Sequence, residues 1–156
     1  KCGYSAYYIA KALQENKLGS LDCYDLWQKS SFNSCDLSVA RKHLSEFQDQ
    51  VNFFQCDIKS SAIDSNYSSV DILHLDLGNH ADVLDEILTV WLPKVTQFTI
   101  IEGGSEERDQ VEWMKKFNKR SIQTWLRHHS PELDLFTFEP FPSLTLIKSK
   151  SRQSKA

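Results

Sequence analysis

The sequence VDILHLDLGNH at residues 70–80 decides the fold class of this chain. Its apolar residues form a short run that is typical of a buried strand, and an acid, a glycine, an amide and a histidine stand at its carboxyl end. A helical pattern follows at residues 81–92, and a second apolar run at 95–101 also ends on an acid and glycines. Ligands bind outside the carboxyl ends of parallel strands in open α/β sheets. Asp76 and His80 are therefore predicted to lie at the mouth of a binding cleft.

The same alternation of strand and helix patterns extends over the rest of the chain. It predicts an α/β fold with a mostly parallel sheet and helices on both faces. Two β-rich runs joined by prolines close the chain and predict an antiparallel hairpin. The predicted helices cover residues 4–14, 36–47, 81–92 and 105–128, and the predicted strands cover 20–25, 51–58, 70–76, 95–101, 133–138 and 143–148.

Length and charge restrict the classes of protein to which the chain can belong. Its 156 residues suffice for one domain with a hydrophobic core, which we expect at residues 1–148, followed by a basic flexible tail at 149–156. The formal charge of -3 gives no electrostatic basis for nucleic-acid binding. No apolar run approaches the roughly 18 residues that cross a bilayer, so we expect no membrane partner. Because the chain starts at Lys1, we expect a fragment of a longer protein.

The cysteine pattern bears on the cellular compartment. Cys2, Cys23, Cys35 and Cys56 form no CxxC pair and show no zinc-like spacing. Cys23 and Cys56 lie within apolar runs, where cysteine behaves as a small hydrophobic residue. The simplest interpretation is that all four are reduced thiols in a cytoplasmic protein.

Four segments resemble class I S-adenosylmethionine-dependent methyltransferases. KCGYSA at residues 1–6 resembles the end of the glycine loop, GSLDCYD at 19–25 the second strand with its terminal acid, and QCD at 55–57 the end of the third strand. LDLGNH at 75–80 resembles the "IDG-x-H" segment of sugar and small-molecule O-methyltransferases, near the macrocin O-methyltransferases and cephalosporin hydroxylase-like proteins. FPSLTL at 141–146 suits the antiparallel last strand. The resemblance implies a Rossmann-like methyltransferase fold that lacks its first strand in this sequence.

The resemblance implies S-adenosylmethionine as the cofactor. Gly3 and Ser5 lie in the glycine-loop match, Asp25 matches the acid that holds the ribose hydroxyls, and Asp57 matches the residue near the adenine. Trp27 follows Asp25 closely enough to lie against an adenine face, whereas the other three tryptophans are interpreted as packing residues. An ordinary turn, an exposed acid and a turn cap are the alternatives for Gly3, Asp25 and Asp57. We expect the acids at positions 25, 57 and 76 to share one rim.

Methyl transfer to a hydroxyl requires the acceptor oxygen in line with the methyl group and a group that removes its proton. His80 is the candidate base, because histidine titrates near neutral pH. Asp76 is predicted either to orient His80 or to bind Mg²⁺ together with Glu102. Metal-dependent relatives usually carry consecutive acids, or an acid and an amide, where this chain has Glu102 and Gly103, so metal dependence stays open. The structural alternatives are a surface histidine and a capping aspartate.

These residues predict a methyltransferase that acts on a hydroxyl of a small molecule such as a sugar or a natural product. The sequence does not identify the acceptor or the oligomeric state. The alternative is a non-catalytic methyltransferase-like module that binds the cofactor or a partner. A nicotinamide-dependent enzyme is disfavoured, because no complete G-x-G-x-x-G motif is present and the chain ends in a predicted hairpin.

Overall fold

The computed structural model describes residues 2–27, 35–59, 67–78, 80–140 and 142–150. Contacts divide the chain into two compact units, residues 1–61 and 62–156, and each is described by itself. In these described ranges, no helix is long and apolar enough to span a membrane. Most of the predicted basic tail, residues 151–156, lies outside them.

The first unit contains a pair of parallel strands and two helices. Its strands match the predicted positions, although the second is shorter than expected, and Asp25 lies opposite Gln55 in their register. Asp36 caps the second helix as predicted, because its Oδ1 accepts a hydrogen bond from the Val39 N–H at 3.1 Å. A small apolar cluster of Ala10, Leu44, Phe47 and Val51 forms the core. The elements are α1 (Tyr4–Asn16), β1 (Leu21–Asp25), α2 (Leu37–His43), a 3-10 helix (Ser45–Phe47) and β2 (Val51–Gln55).

A disulfide in the first unit corrects the prediction of four reduced thiols. Cys2 and Cys35 are bonded to each other, with their Cα atoms 5.5 Å apart. The fold brings the two residues together from a sequence separation of 33, which no spacing motif signals. Cys23 and Cys56 are free as expected. Burial, assisted by the charge of Asp22, raises the pKa of the Cys23 thiol to about 11.

The second unit contains a four-stranded sheet in the order β3-β4-β6-β5. β3 and β4 are parallel, whereas β6 is antiparallel to both β4 and β5. The predicted C-terminal hairpin is therefore confirmed, and its last strand lies beside β4. The elements are β3 (Val70–Leu75), α3 (Ala81–Trp91), a 3-10 helix (Leu92–Lys94), β4 (Val95–Glu102), α4 (Glu106–Asp109), α5 (Glu112–Lys116), α6 (Ile122–His129), β5 (Leu133–Phe138) and β6 (Leu144–Ser149).

The core of the second unit follows the period of each element. On the strands, alternate residues are buried, and the register places Leu75 beside Ile101. On α3, residues at helical spacing are buried, including Leu84, Ile87 and Trp91. These apolar faces set the positions at which β3 and β4 end, and so position the polar residues that follow them.

The single helix predicted at residues 105–128 is wrong, because the structure has three short helices there. The left-handed backbone of Asn118, with φ at 46°, interrupts the helical course. Asp109 then starts α6, because its carboxylate accepts hydrogen bonds from Ser121 Oγ at 2.6 Å and from the next two backbone N–H groups at 2.8 and 3.0 Å. Ser121 is the N-cap of this helix, since its Oγ accepts a hydrogen bond from the Thr124 N–H at 3.0 Å, and Asp109 supports that start from twelve positions upstream.

Candidate functional site

Two acids stand together at the carboxyl ends of β3 and β4. Leu75 pairs with Ile101, so that Asp76 and Glu102 follow at the same edge of the sheet. The two carboxyl groups share a hydrogen bond. Burial raises the pKa of Glu102, the hydrogen bond and charge of Asp76 raise it further, and the charge of Arg108 opposes the shift. The structure thus brings together the two strand-end acids named from the sequence.

His80 lies at the N-cap position of α3 and is only 9% exposed. Its Nδ1 lies 3.2 Å from Oδ2 of Asp82, whose Oδ1 accepts a hydrogen bond from Arg120 Nε at 2.5 Å. That hydrogen bond is the main cause of the lowered pKa of Asp82. The carboxylate seen beside the imidazole is therefore Asp82, rather than the predicted Asp76. A carboxylate at Nδ1 orients the ring and stabilises its protonated form.

Arg108 and Trp113 complete the surroundings of these residues, and sequence reasoning missed both. The guanidinium carbon of Arg108 lies 5.3 Å from the centroid of the Trp113 ring, and the His80 ring lies 6.3 Å from the same centroid. Arg108 is 7% exposed, and its Nη1 has no hydrogen-bond partner in the part of the chain that the structure describes. The only sequence signal was a cation six positions after a strand-end acid. We call Asp76, His80, Glu102, Arg108 and Trp113 the strand-end cluster.

The residues of the strand-end cluster do not fit the predicted Mg²⁺. Mg²⁺ requires octahedral oxygen coordination. Within the described ranges, no group of three or more metal-ligating side chains occurs. Asp76 and Glu102 hydrogen-bond to each other, and a guanidinium charge acts on Glu102.

The predicted glycine-loop residues lie at the start of α1. Gly3 has φ at 82°, a left-handed conformation that glycine adopts without strain, and its C=O accepts a hydrogen bond from the Tyr7 N–H at 2.8 Å. A Cβ at this position would lie 3.0 Å from Leu44 Cδ1. Ser5 is exposed on the first turn of α1. This position therefore favours glycine, both for its backbone conformation and for its close contact.

The predicted nucleoside residues lie at the carboxyl ends of β1 and β2. Oδ1 of Asp25 accepts a hydrogen bond from the Trp27 N–H at 2.8 Å. Trp27 is only 2% exposed and lies 6.1 Å from the Phe53 ring, so its burial does not support a face open to adenine. Asp57 is exposed, and its Oδ1 accepts a hydrogen bond from the Lys59 N–H at 3.0 Å, as in the turn-cap alternative. The shared rim with Asp76 involves both units and stays a prediction.

Comparison with known proteins identifies the family. Residues 1–103 match the family described as "Methyltransferase domain". No curated protein matches the chain. Among solved structures, an O-methyltransferase family protein from Burkholderia thailandensis is 14% identical with a TM-score of 0.65, and the match covers 96% of this chain and 49% of that one. The chain thus spans about half the length of that protein.

Two further structures support the same fold. A methyltransferase from Geobacter sulfurreducens is 16% identical with a TM-score of 0.60, over 96% of this chain and 67% of that one. A methyltransferase from Podospora anserina, solved with SAH bound, is 14% identical with a TM-score of 0.62, over 96% of this chain and 68% of that one. At these identities the likeness supports the Rossmann-like fold, and the family match covers most of the sequence. The chain belongs to the methyltransferase domain family.

Proposed function

We propose that this chain is the methyl-transferring part of an S-adenosylmethionine-dependent O-methyltransferase that acts on a small hydroxylated molecule. The observation that carries the proposal is the strand-end cluster, in which two acids stand at the ends of β3 and β4 and a histidine and an arginine contact one tryptophan ring. These are the strand ends at which ligands bind in open α/β sheets. Membership of the methyltransferase family supports the choice of reaction.

In the proposed mechanism, Gly3, Ser5, Asp25 and Asp57 bind the cofactor, with the carboxylate of Asp25 accepting hydrogen bonds from ribose hydroxyls. S-adenosylmethionine, when bound, would supply the methyl group to the acceptor oxygen and would be released as S-adenosylhomocysteine. His80 takes the hydroxyl proton, and Asp82 at 3.2 Å stabilises the imidazolium.

The acceptor in this proposal is a small molecule such as a sugar or a natural product. The formal charge of -3 supports a small acceptor over a nucleic acid. The predicted cytoplasmic location depended on four reduced thiols, and the Cys2–Cys35 disulfide removes that argument. The proposal therefore names no compartment.

Two single variants test the proposed base. We expect His80→Ala to lower turnover by ~10²–10⁴-fold, as for a lost general base, while the calorimetric affinity for S-adenosylhomocysteine stays unchanged. The matched control is His128→Ala, because His128 is exposed in α6. Radiolabelled methyl transfer to a panel of sugars and hydroxylated natural products measures turnover. Full turnover in His80→Ala would remove His80 from the mechanism.

The same measurements address the alternative, a non-catalytic module. Binding of S-adenosylhomocysteine without transfer to any member of the panel supports a module that uses the cofactor only as a ligand. Absence of binding contradicts the proposed function as a whole. The buried Trp27 favours a module that binds a partner rather than the cofactor, since one predicted cofactor contact is not accessible.

A further inference from the structure

Arg108 is a buried cation whose side chain is not fully satisfied. It is 7% exposed, and its Nη1 lacks a hydrogen-bond partner within the described part of the chain. A buried donor without an acceptor costs about 1–3 kcal/mol, and more when the group is charged. An oxygen atom supplied by a ligand would remove this cost. Arg108 thus has the properties expected of a residue that binds an oxygen atom of a ligand.

The chain holds Arg108 in place from several directions. Ser105 Oγ accepts a hydrogen bond from the Arg108 N–H at 3.3 Å, and Ser143 Oγ accepts one from the Ser105 N–H at 3.0 Å. Both serines are fully buried. The side chain passes over Gly103, which has φ at 109°, and a Cβ there would lie 3.2 Å from Arg108 Cγ. The guanidinium carbon lies 5.3 Å from the Trp113 centroid.

The position of Arg108 relates it to the proposed base and to the two acids. His80 and Arg108 contact the same indole ring from different elements. The charge of Arg108 also acts on Glu102, which hydrogen-bonds to Asp76. A divalent cation between these acids would be repelled by the guanidinium at short range. The chain therefore carries its own positive charge at the place where the sequence suggested a metal.

We propose that Arg108, rather than a divalent cation, supplies the positive charge and the hydrogen-bond donor at the acceptor oxygen. This inference rests on the proposed function. An Nη1–H donates to the acceptor hydroxyl oxygen. As the O–H bond breaks and its proton passes to His80, the oxygen electron pair forms the bond to the methyl carbon. The electrons of the broken S–CH₃ bond stay on sulfur.

The same geometry specifies the class of acceptor. A fixed cation stabilises an oxygen that develops negative charge during proton loss. The same cation disfavours an amine acceptor, because the amine nitrogen develops positive charge as it takes the methyl group. The site is thus selective for hydroxyl acceptors over amines and needs no added metal.

Arg108→Met tests the proposal, since methionine keeps an apolar stem and removes both the charge and the donors. We expect turnover to fall by about 10²–10³-fold, as for a lost oxyanion donor, with unchanged affinity for S-adenosylhomocysteine. The pH at which turnover reaches half its maximum should rise, because the acceptor hydroxyl is no longer acidified. The matched control is Arg127→Met, because Arg127 is exposed. Unchanged turnover in Arg108→Met overturns the proposal.

Three further measurements do not depend on the activity of the variant. Wild-type turnover should survive a strong chelator, and titration with Mn²⁺ should show no binding that Asp76→Asn abolishes. The unfolding temperature of Arg108→Met should equal or exceed that of the wild type, because a buried unsatisfied charge is removed. Mn²⁺ bound through Asp76 overturns the proposal, and so does a large fall in that temperature. If wild type binds no S-adenosylhomocysteine, the proposed function fails separately, and the Mn²⁺ titration and the unfolding temperature still test the role of Arg108.

Discussion

The two units of the chain bury apolar residues to different extents. Among the described residues, the largest fully buried apolar side chains include one from the first unit, Leu44. Six come from the second unit: Leu75, Leu84, Ile87, Ile101, Ile122 and Ile147. The first unit has the disulfide instead. A unit of about 60 residues buries a smaller fraction of its surface, so a covalent cross-link contributes more to its stability. The comparison indicates that packing stabilises the second unit and the cross-link stabilises the first.

Matched truncations in the two cores test this difference most strongly. Ile101→Ala and Leu44→Ala each remove a side chain that is 0% or 1% exposed. Such changes cost 2–5 kcal/mol, depending on how far the surroundings collapse. We expect Ile101→Ala to lie near the upper end and Leu44→Ala near the lower end, because the buried cluster that contains Leu44 is small and half-buried residues pack against it. Urea unfolding measures both losses. An equal or larger loss for Leu44→Ala would contradict the comparison.

Removal of the Cys2–Cys35 disulfide is expected to have the next largest effect on stability, and this effect should fall on the first unit. For a sequence separation of 33, Cys35→Ser should lower the free energy of unfolding by about 3–4 kcal/mol. A reducing agent should shift the wild type by a similar amount and leave Cys35→Ser unchanged. Cys56→Ser, at a free and half-buried thiol, serves as the control. Alkylation of all four cysteines without prior reduction would show that the bond is absent in the protein as purified.

The elements that sequence patterns predicted are those whose signals are local. The capping aspartate at position 36, the strand before Asp76 and the proline-linked hairpin each depend on neighbouring residues. The predicted long helix failed because a new helix starts at the Ser121 cap, which Asp109 supports from twelve residues upstream, and periodicity does not reveal this contact. The disulfide was missed for the same reason, since residues distant in sequence meet only in the fold.

Sequence patterns predicted only the part of the candidate site that carries local signals. Asp76, His80 and Glu102 follow strand ends, and strand ends are visible in the sequence. Arg108 and Trp113 lie in short helices, and their role depends on burial and on a shared ring contact. Trp113 carries the same apolar signal as a packing tryptophan. Burial of a charged group is a tertiary property, so it could be recognised only in the structure.

Helix capping also differs between the two units, with a smaller expected effect on stability. Asp36 in the first unit accepts one backbone hydrogen bond within its own helix start and one from Ser38 Oγ. Asp109 in the second unit accepts three hydrogen bonds across twelve or more residues. We expect Asp36→Ala to cost about 1 kcal/mol and Asp109→Ala about 2 kcal/mol. Thermal unfolding of the two variants measures the difference. Equal losses would mean that the long-range cap adds no more than a local one.

The smallest expected effect is a pH dependence that belongs to the second unit. Burial lowers the pKa of His74 in β3, although the charge of Asp76 opposes the shift. Between the lowered pKa and the ordinary value of about 6.5, the unfolded chain binds more protons than the folded chain. Stability from this group is therefore complete above pH of about 6.5 and falls as the pH drops through the folded pKa. Between pH of about 5 and 7, we expect the unfolding midpoint of His74→Gln to depend less on pH than that of the wild type. Glu102, whose pKa is raised, acts with the opposite sign, but it is present in both proteins, so the difference between wild type and His74→Gln isolates His74. An unchanged slope in His74→Gln would assign the pH dependence to another group.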